Sequence, residues 1–354
     1  MSTELRCPSC EKRVDDRWRC EHCRSPLEFA YSQSPLDRGS LSFADGVWGF
    51  SELLAVDKAV SLGAGATPLV ESPWNCEFKL EYVAPTGSFK DRGATTVIAR
   101  AVDVGADALI EDSSGNAGGA VATYAGRAGL DCTIYVPESA PESKIRPIER
   151  SGATVKRVVG SRQDVVDACV GAVEDGAGWY ASHAWNPAFF EGTATMAYEI
   201  AIQRDWSLPD ALVIPVGHGT LFLGVHRGFE RLQAAGLIES VPRLLGVQAA
   251  GYAPIADALH DPVSGHNDVA DGIHITEPVR NNQLFDAIES TAGDCIAIER
   301  EPVERALKGL HANGFYVEPT SAVAVAGLER YRELGTLESD DDVVVPLTGS
   351  GLKK

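Results

Sequence analysis

Pro85-Thr86-Gly87-Ser88-Phe89-Lys90-Asp91-Arg92-Gly93 is the stretch on which the fold of this 354-residue chain turns. Gly87 and Ser88 favour a turn and Asp91 favours the start of a helix, so Lys90 stands where a loop runs into a helix. A lysine buried at such a junction loses the hydration that stabilises its ammonium form. Its pKa falls, and a free amine able to attack a carbonyl results. Taken alone, the nonapeptide suits a surface lysine better, so its weight depends on its surroundings.

Beyond it the chain alternates two kinds of segment. Residues 107–111, 132–136, 154–159, 211–216, 243–248 and 342–347 are short, apolar and strand-like. Residues 117–128, 144–150, 165–174, 191–204, 222–235, 283–290, 302–312 and 321–334 have helical character. Apolar strands joined by helices predict an α/β protein with parallel sheets covered on both faces. The length suits two lobes and a small extra module. In such sheets ligands gather at the carboxyl ends of strands, in the loops that open the next helix.

Two further loops of that kind are unusual. Asp112-Ser113-Ser114-Gly115-Asn116-Ala117-Gly118-Gly119 joins a strand to a helix of small residues. Its glycines allow close approach of a ring or carboxylate, and the helix N-terminus offers N–H groups to an anion. The ordinary alternative is a tight turn with a Ser or Asn cap. Pro215-Val216-Gly217-His218-Gly219-Thr220-Leu221 also runs from strand to helix, and its N–H groups and hydroxyl form a phosphate cradle.

Four of the eight cysteines fall near the N-terminus, as Cys7-Pro8-Ser9-Cys10 and Cys20-Glu21-His22-Cys23. Two such knuckles can set four thiolates around a tetrahedral Zn²⁺, which organises a segment too small for its own core. Four thiolates leave no open position, so the ion would be structural; the competing arrangement is a pair of disulfides. Cys76, Cys132, Cys169 and Cys295 lie in or near apolar stretches and suit packing. A Ser- and Pro-rich linker is expected over residues 32–42.

The net charge is −19, with 22 arginines against nine lysines. Acidic residues are scattered, apart from a cluster at Glu338, Asp340, Asp341 and Asp342. Scarce lysine with a scattered acidic surface suggests adaptation to high salt, the plainer alternative being an acidic protein of ordinary habitat. Such a field disfavours nucleic acid as a partner. No apolar run reaches the length of a membrane span, and residues 1–7 lack the order of a signal peptide, so a cytoplasmic protein is expected.

Together the loops stop being generic. Residues 85–93 resemble the cofactor-lysine motif of threonine synthases, within the fold type II (tryptophan synthase β-like) pyridoxal-phosphate enzymes. Gly46-Val47-Trp48, Glu52-Leu53-Leu54 and Val60 to Leu69 are similar to the family's N-terminal segment. Ser113 to Asn116, Glu318-Pro319-Thr320-Ser321 and Leu347 to Lys353 match as well, and some members carry a cysteine-rich module. The resemblance implies a large pyridoxal-phosphate-binding domain (29–97 and 205–354), a small mobile domain (98–204) and a zinc-ribbon-like module (1–28). It also implies a small amino-acid substrate, O-phosphohomoserine, and a homodimer. Lys90 would bond covalently to pyridoxal 5'-phosphate and later shuttle protons at Cα and Cβ. Asn116 would bond the ring hydroxyl, and Gly217, His218, Gly219, Thr220 and Leu221 would hold the phosphate. Thr348 would face the ring nitrogen with Ser350 nearby. Ser113 and Ser114 would meet the substrate, and Lys144 its leaving phosphate.

The substrate half departs from the family pattern. Phe189, in Asn186-Pro187-Ala188-Phe189-Phe190-Glu191-Gly192, stands where an arginine usually grips the substrate phosphate. Ala117 replaces a frequent threonine, and the Gly-His-Gly-Thr cradle a more asparagine-rich one. His183 and His218 are further candidates to replace the arginine. The alternatives are a serine/threonine dehydratase, a β-replacement synthase of cysteine or cysteate type, or a non-catalytic ligand-sensing or zinc-ribbon interaction protein.

Overall fold

The computed structural model describes residues 4–31 and 34–353; residues 32 and 33 of the expected linker, and residues 1–3 of the stretch read for a leader, lie outside the described residues. Strands β1 (Leu5–Arg6), β2 (Arg13–Val14) and β3 (Glu28–Phe29) form a small antiparallel sheet in the order β2-β1-β3. Phe29 pairs with Leu5 in this sheet.

β4 (Leu69–Glu71) and β5 (Glu77–Lys79) form a hairpin, and α1 (Lys90–Asp103) follows it. β6 (Ala108–Glu111), α2 (Asn116–Ala128), β7 (Asp131–Pro137), α3 (Glu142–Arg150), β8 (Thr154–Val158), α4 (Arg162–Glu174) and β9 (Trp179–Tyr180) build a parallel sheet in the order β8-β7-β6-β9. The chain returns through α5 (Pro187–Gln203). The last part holds β10 (Ala211–Pro215), α6 (Thr220–Ala234), β11 (Arg243–Ala249), α7 (Ala256–Leu259), α8 (Asn281–Ser290), β12 (Asp294–Ile298), α9 (Arg300–Ala312), α10 (Pro319–Glu333) and β13 (Val343–Pro346). Its strands join the hairpin in one sheet, β12-β11-β10-β13-β5-β4, parallel except at β4–β5. The α/β class and the parallel sheets thus agree with expectation.

Helices α1 and α5 make the seam between the sheets. α1 packs on α2 and α5, and α5 packs on α6. Residues 187–201 of α5 are all buried, as suits a helix with no solvent face. The charges it carries are paired, Glu191 with Arg231 at 2.5 Å, and Glu199 with Arg92 and Lys79 at 2.6 and 2.7 Å. The cysteine module docks beside the small sheet. Trp18 lies edge-on to Tyr180 and Trp185, and Asp16 accepts hydrogen bonds from Trp179 and Arg100. Arg280, from the large-sheet part, donates to Leu27 O and Trp185 O at 2.9 and 2.8 Å and so ties the module to both halves.

Candidate active site

Each residue around Lys90 has a visible task. Gly87 takes φ +76°, and a Cβ there would stand 2.7 Å from Lys353 Cε. Asp91 closes the turn by accepting from Thr86 N and Oγ1, both at 2.7 Å. Arg92 is sealed beneath, with Nε on Glu81 at 2.7 Å and a terminal nitrogen on Glu199. Phe89 N donates to Thr348 O at 3.0 Å and links the turn to the segment after β13. Lys90 is the first residue of α1, with Nζ 3.7 Å from the centroid of the Phe89 ring. Burial lowers its pKa to about 7, against the pull of Glu318 and Glu111 in the other direction.

Facing it, Ser113, Ser114 and Asn116 line a cavity of about 170 Å³. Asn116 opens α2; its Nδ2 donates to both oxygens of Glu318, and its Oδ1 accepts from Lys353 Nζ at 3.0 Å. Gly217, His218, Gly219, Thr220 and Leu221 form another wall, at the start of α6. Gly219 has φ +75°, and a Cβ there would stand 2.4 Å from Leu284, so this turn needs glycine. Thr348 also lines the cavity, 3.2 Å from the Ser321 hydroxyl. Ser350 is buried, accepts from Leu352 N at 3.2 Å, and is not among the residues lining the cavity.

Lys144 and Phe189, of the substrate half, both stand away from the cavity. Lys144 does not line the cavity; it pairs with Asp271 across the two halves at 2.8 Å, and would have to leave that pair to meet a substrate. Phe189 is no pocket wall. It is fully buried against Gly93 and edge-on to His183 at 6.0 Å. The sequence reading passed over Arg162, which opens α4, lines the cavity and the adjoining space of about 740 Å³, and pairs with Asp112 at 2.9 Å. It follows a turn rather than a strand of the large sheet, so no loop pattern marked it. Glu111 also went unnoticed. It ends β6 and meets His183 Nδ1 at 2.8 Å.

The Cys7, Cys10, Cys20 and Cys23 sulfurs all lie within 4.8 Å of one another, with Cys7–Cys23 at 3.3 Å and Cys10–Cys20 at 3.7 Å. All four are free thiols. Sulfurs around one zinc at about 2.3 Å stand roughly 3.8 Å apart, so the cluster has the dimensions of a metal site.

A family model described as pyridoxal-phosphate dependent enzyme matches residues 60–349. Threonine synthase of Methanocaldococcus jannaschii is 33% identical over 98% of this chain and 92% of that protein. Threonine synthase of Mycobacterium leprae is 32% identical over 83% of each. The chain belongs to the pyridoxal-phosphate dependent enzymes, in the threonine synthase family. Among solved structures, the processed form of threonine deaminase isoform 2 from Solanum lycopersicum superimposes with a TM-score of 0.68, at 22% identity over 90% of this chain and 95% of that one. A pyridoxal 5'-phosphate-dependent aspartate racemase gives 0.67, at 22% identity over 80% and 90%. These likenesses show the fold. The cavity of this pyridoxal-phosphate dependent enzyme also fits the cofactor chemically. The first N–H groups of α6 have no partner within the helix and suit a phosphate. A lysine amine with lowered pKa suits an aldehyde, and the Thr348–Ser321 hydroxyl pair suits a neutral ring nitrogen.

Proposed function

We propose that this enzyme converts O-phospho-L-homoserine and water to L-threonine and phosphate. The observation that carries this is the Lys90 amine, held at the mouth of α1 and facing Asn116 and the α6 cradle, in a chain related to threonine synthases over nearly its whole length. Bound pyridoxal phosphate supplies an electron sink for negative charge developed on an amino acid. Gly217 to Leu221 hold its phosphate, and Thr348 keeps its ring nitrogen unprotonated. Lys90, about half of it the free amine at pH 7, takes the proton from substrate Cα, gives it up, and as a free amine again takes one from Cβ, which it returns to carbon later. Ser113, Ser114 and the N-terminus of α2 receive the substrate carboxylate. Arg162 is the cation placed to meet the substrate phosphate; Lys144 contributes from the rim once released by Asp271.

Cys7, Cys10, Cys20 and Cys23 hold a structural zinc in this reading, and the enzyme works as a cytoplasmic homodimer in a salt-rich medium. The lack of helices long and apolar enough to cross a membrane, among the described residues, fits that setting.

A second reading, a serine/threonine dehydratase or a β-replacement synthase, draws on the burial of Phe189 in place of an arginine. Turnover separates them. Threonine and phosphate formed in equal amounts from O-phosphohomoserine support the first. Ammonia and 2-oxobutanoate from threonine, without phosphate release from O-phosphohomoserine, overturn it.

A further inference from the structure

β6 and β9 are parallel neighbours, with Ile110 paired to Tyr180 and Ala181 N donating to Ile110 O. Their carboxyl ends therefore bring Glu111 and His183 together at the floor of the cleft. His183 Nδ1 lies 2.8 Å from Glu111 Oε1, and its ring stands edge-on to Phe189 and to His218 at 6.0 and 5.5 Å. The imidazole is thus fixed by one carboxyl and two rings. Its other nitrogen, Nε2, has no protein partner among the described residues, and His183 lines the same cavity as Lys90. A histidine kept only for packing would be expected to have both nitrogens bonded or sealed.

We propose that His183, oriented by Glu111, is a second acid–base residue of the site, whose Nε2–H protonates the phosphate as it leaves substrate Cγ. The assignment rests on O-phosphohomoserine being the substrate. Lys90 can move protons at carbon, but the leaving group makes a separate demand. A phosphate monoester dianion that departs unaided leaves as a trianion, so a proton at oxygen is needed. In this step the Lys90 amine takes a proton from Cβ, and the electron pair left behind forms the Cβ–Cγ double bond. The Cγ–O pair leaves with the oxygen, and Nε2 gives its proton to the phosphate. The Glu111 proton moves to Nδ1, so the imidazole stays neutral and a carboxylate remains. Water adding later at Cβ delivers its hydroxyl to carbon and its proton back to the pair.

The surroundings leave the proton where this needs it. The charged and titratable groups around the pair are Lys90, Asp112, Arg162 and His218, with the buried Cys132, Cys169 and Tyr180 on the Glu111 side. Asp112 is matched by Arg162 at 2.9 Å and accepts from Tyr180 OH at 3.1 Å. His218 is driven well below its ordinary pKa by burial and by its neighbour His183. Burial raises Glu111 to about 8, while burial and Lys90 lower His183 to about 3. Between those values Glu111 keeps its proton and donates it to Nδ1, which leaves the neutral imidazole's own N–H at Nε2 as the open donor. Glu111 Oε2 is buried without a partner, a smaller cost for a neutral carboxyl than for a carboxylate.

The test uses the holoenzyme and two partial reactions. The first is exchange of the Cα proton into D2O, followed by NMR, on the phosphonate analogue in which a methylene replaces the ester oxygen. It needs Lys90 and binding but no leaving group. The second is phosphate release from O-phosphohomoserine. In H183N and E111Q exchange should stay within about threefold of wild type, while release falls on the order of 100-fold or more in H183N. Release by wild type should decline above about pH 8, and that limb should vanish in E111Q, since glutamine does not titrate. Nitrogen NMR of the cofactor-free protein should show His183 protonated at Nε2 at neutral pH. Equal loss of exchange and release in both variants would mean a packing role and overturn the proposal, as would release unchanged in H183N. Wild type that exchanges but releases no phosphate overturns the substrate reading, and this assignment falls with it.

Discussion

The Phe189 ring occupies the space any side chain at Gly93 would need: a Cβ there would stand 2.3 Å from its Cδ1 and Cε1. Gly93 is the fourth residue of α1, so this contact sets how closely α5 approaches the helix that begins with Lys90. The position that usually carries a substrate-binding arginine here packs the seam. Gly93→Ala should therefore cost about 1–3 kcal/mol by overpacking, read as a lower denaturant midpoint. Phe189→Arg should fail to create a phosphate site and should lower the midpoint further, because it buries an unpaired charge. A folded F189R protein with improved use of O-phosphohomoserine would contradict the buried position.

Lys90 should carry the cofactor. The purified protein should be yellow, and borohydride followed by digestion should leave the label on the peptide containing Lys90. Cofactor-free protein should take up pyridoxal phosphate faster as pH rises through about 7, because the depressed pKa puts loss of the ammonium proton there. Label on any other lysine would sink the assignment.

Arg162 and Lys144 should separate by size of effect. A charge-assisted hydrogen bond is worth roughly 1.5–3 kcal/mol, so Arg162→Gln should reduce kcat/KM for O-phosphohomoserine by one to two orders of magnitude. Lys144 spends its charge on the half-exposed Asp271, and such pairs contribute about 0–1 kcal/mol. Lys144→Ala should cost less than about fivefold. The reverse order would place the phosphate at the rim.

The module should bind one zinc per chain. Metal analysis measures this directly, and Cys10→Ser should release the ion and alter Trp18 fluorescence, since Trp18 packs on Tyr180 and Trp185. Native protein without zinc, or with Cys7 and Cys23 joined by a disulfide, would refute it.

Salt should stabilise the fold. With a net charge of −19, screening weakens repulsion among surface carboxylates, so the melting temperature should rise with KCl towards molar concentrations. A flat or falling curve counts against it.

Much of this was legible from sequence because the signals are local. Apolar runs such as 211–216 and the glycine loops around Asn116 and Gly219 depend on neighbours along the chain, and the structure places them accordingly. What escaped depends on partners far away. β5 is three residues long and contains Lys79, whose buried ammonium is matched by Glu199 and Gln203 on α5 and by Thr67 O. Arg162 and Glu111 reach the cleft through tertiary contacts, as part of an Asp112 pair and a His183 pair whose members lie far apart in sequence. The packing of Phe189 on Gly93 was not legible either, because a family position says nothing of what an aromatic ring does once the arginine is gone.

β13 lies between β10 and β5 in the large sheet, and Thr348, just beyond it, receives the Phe89 N–H. An interior strand is thus supplied by residues some 250 positions after the lysine they help to hold. A nascent chain can complete the small sheet early, but the cofactor pocket lacks Thr348 and the strand that carries it until residues 343–348 emerge. Pyridoxal phosphate should therefore be captured only after translation. Chains stalled before β13 should expose the apolar faces of β10 and β5 to chaperones, with Lys90 still without its site.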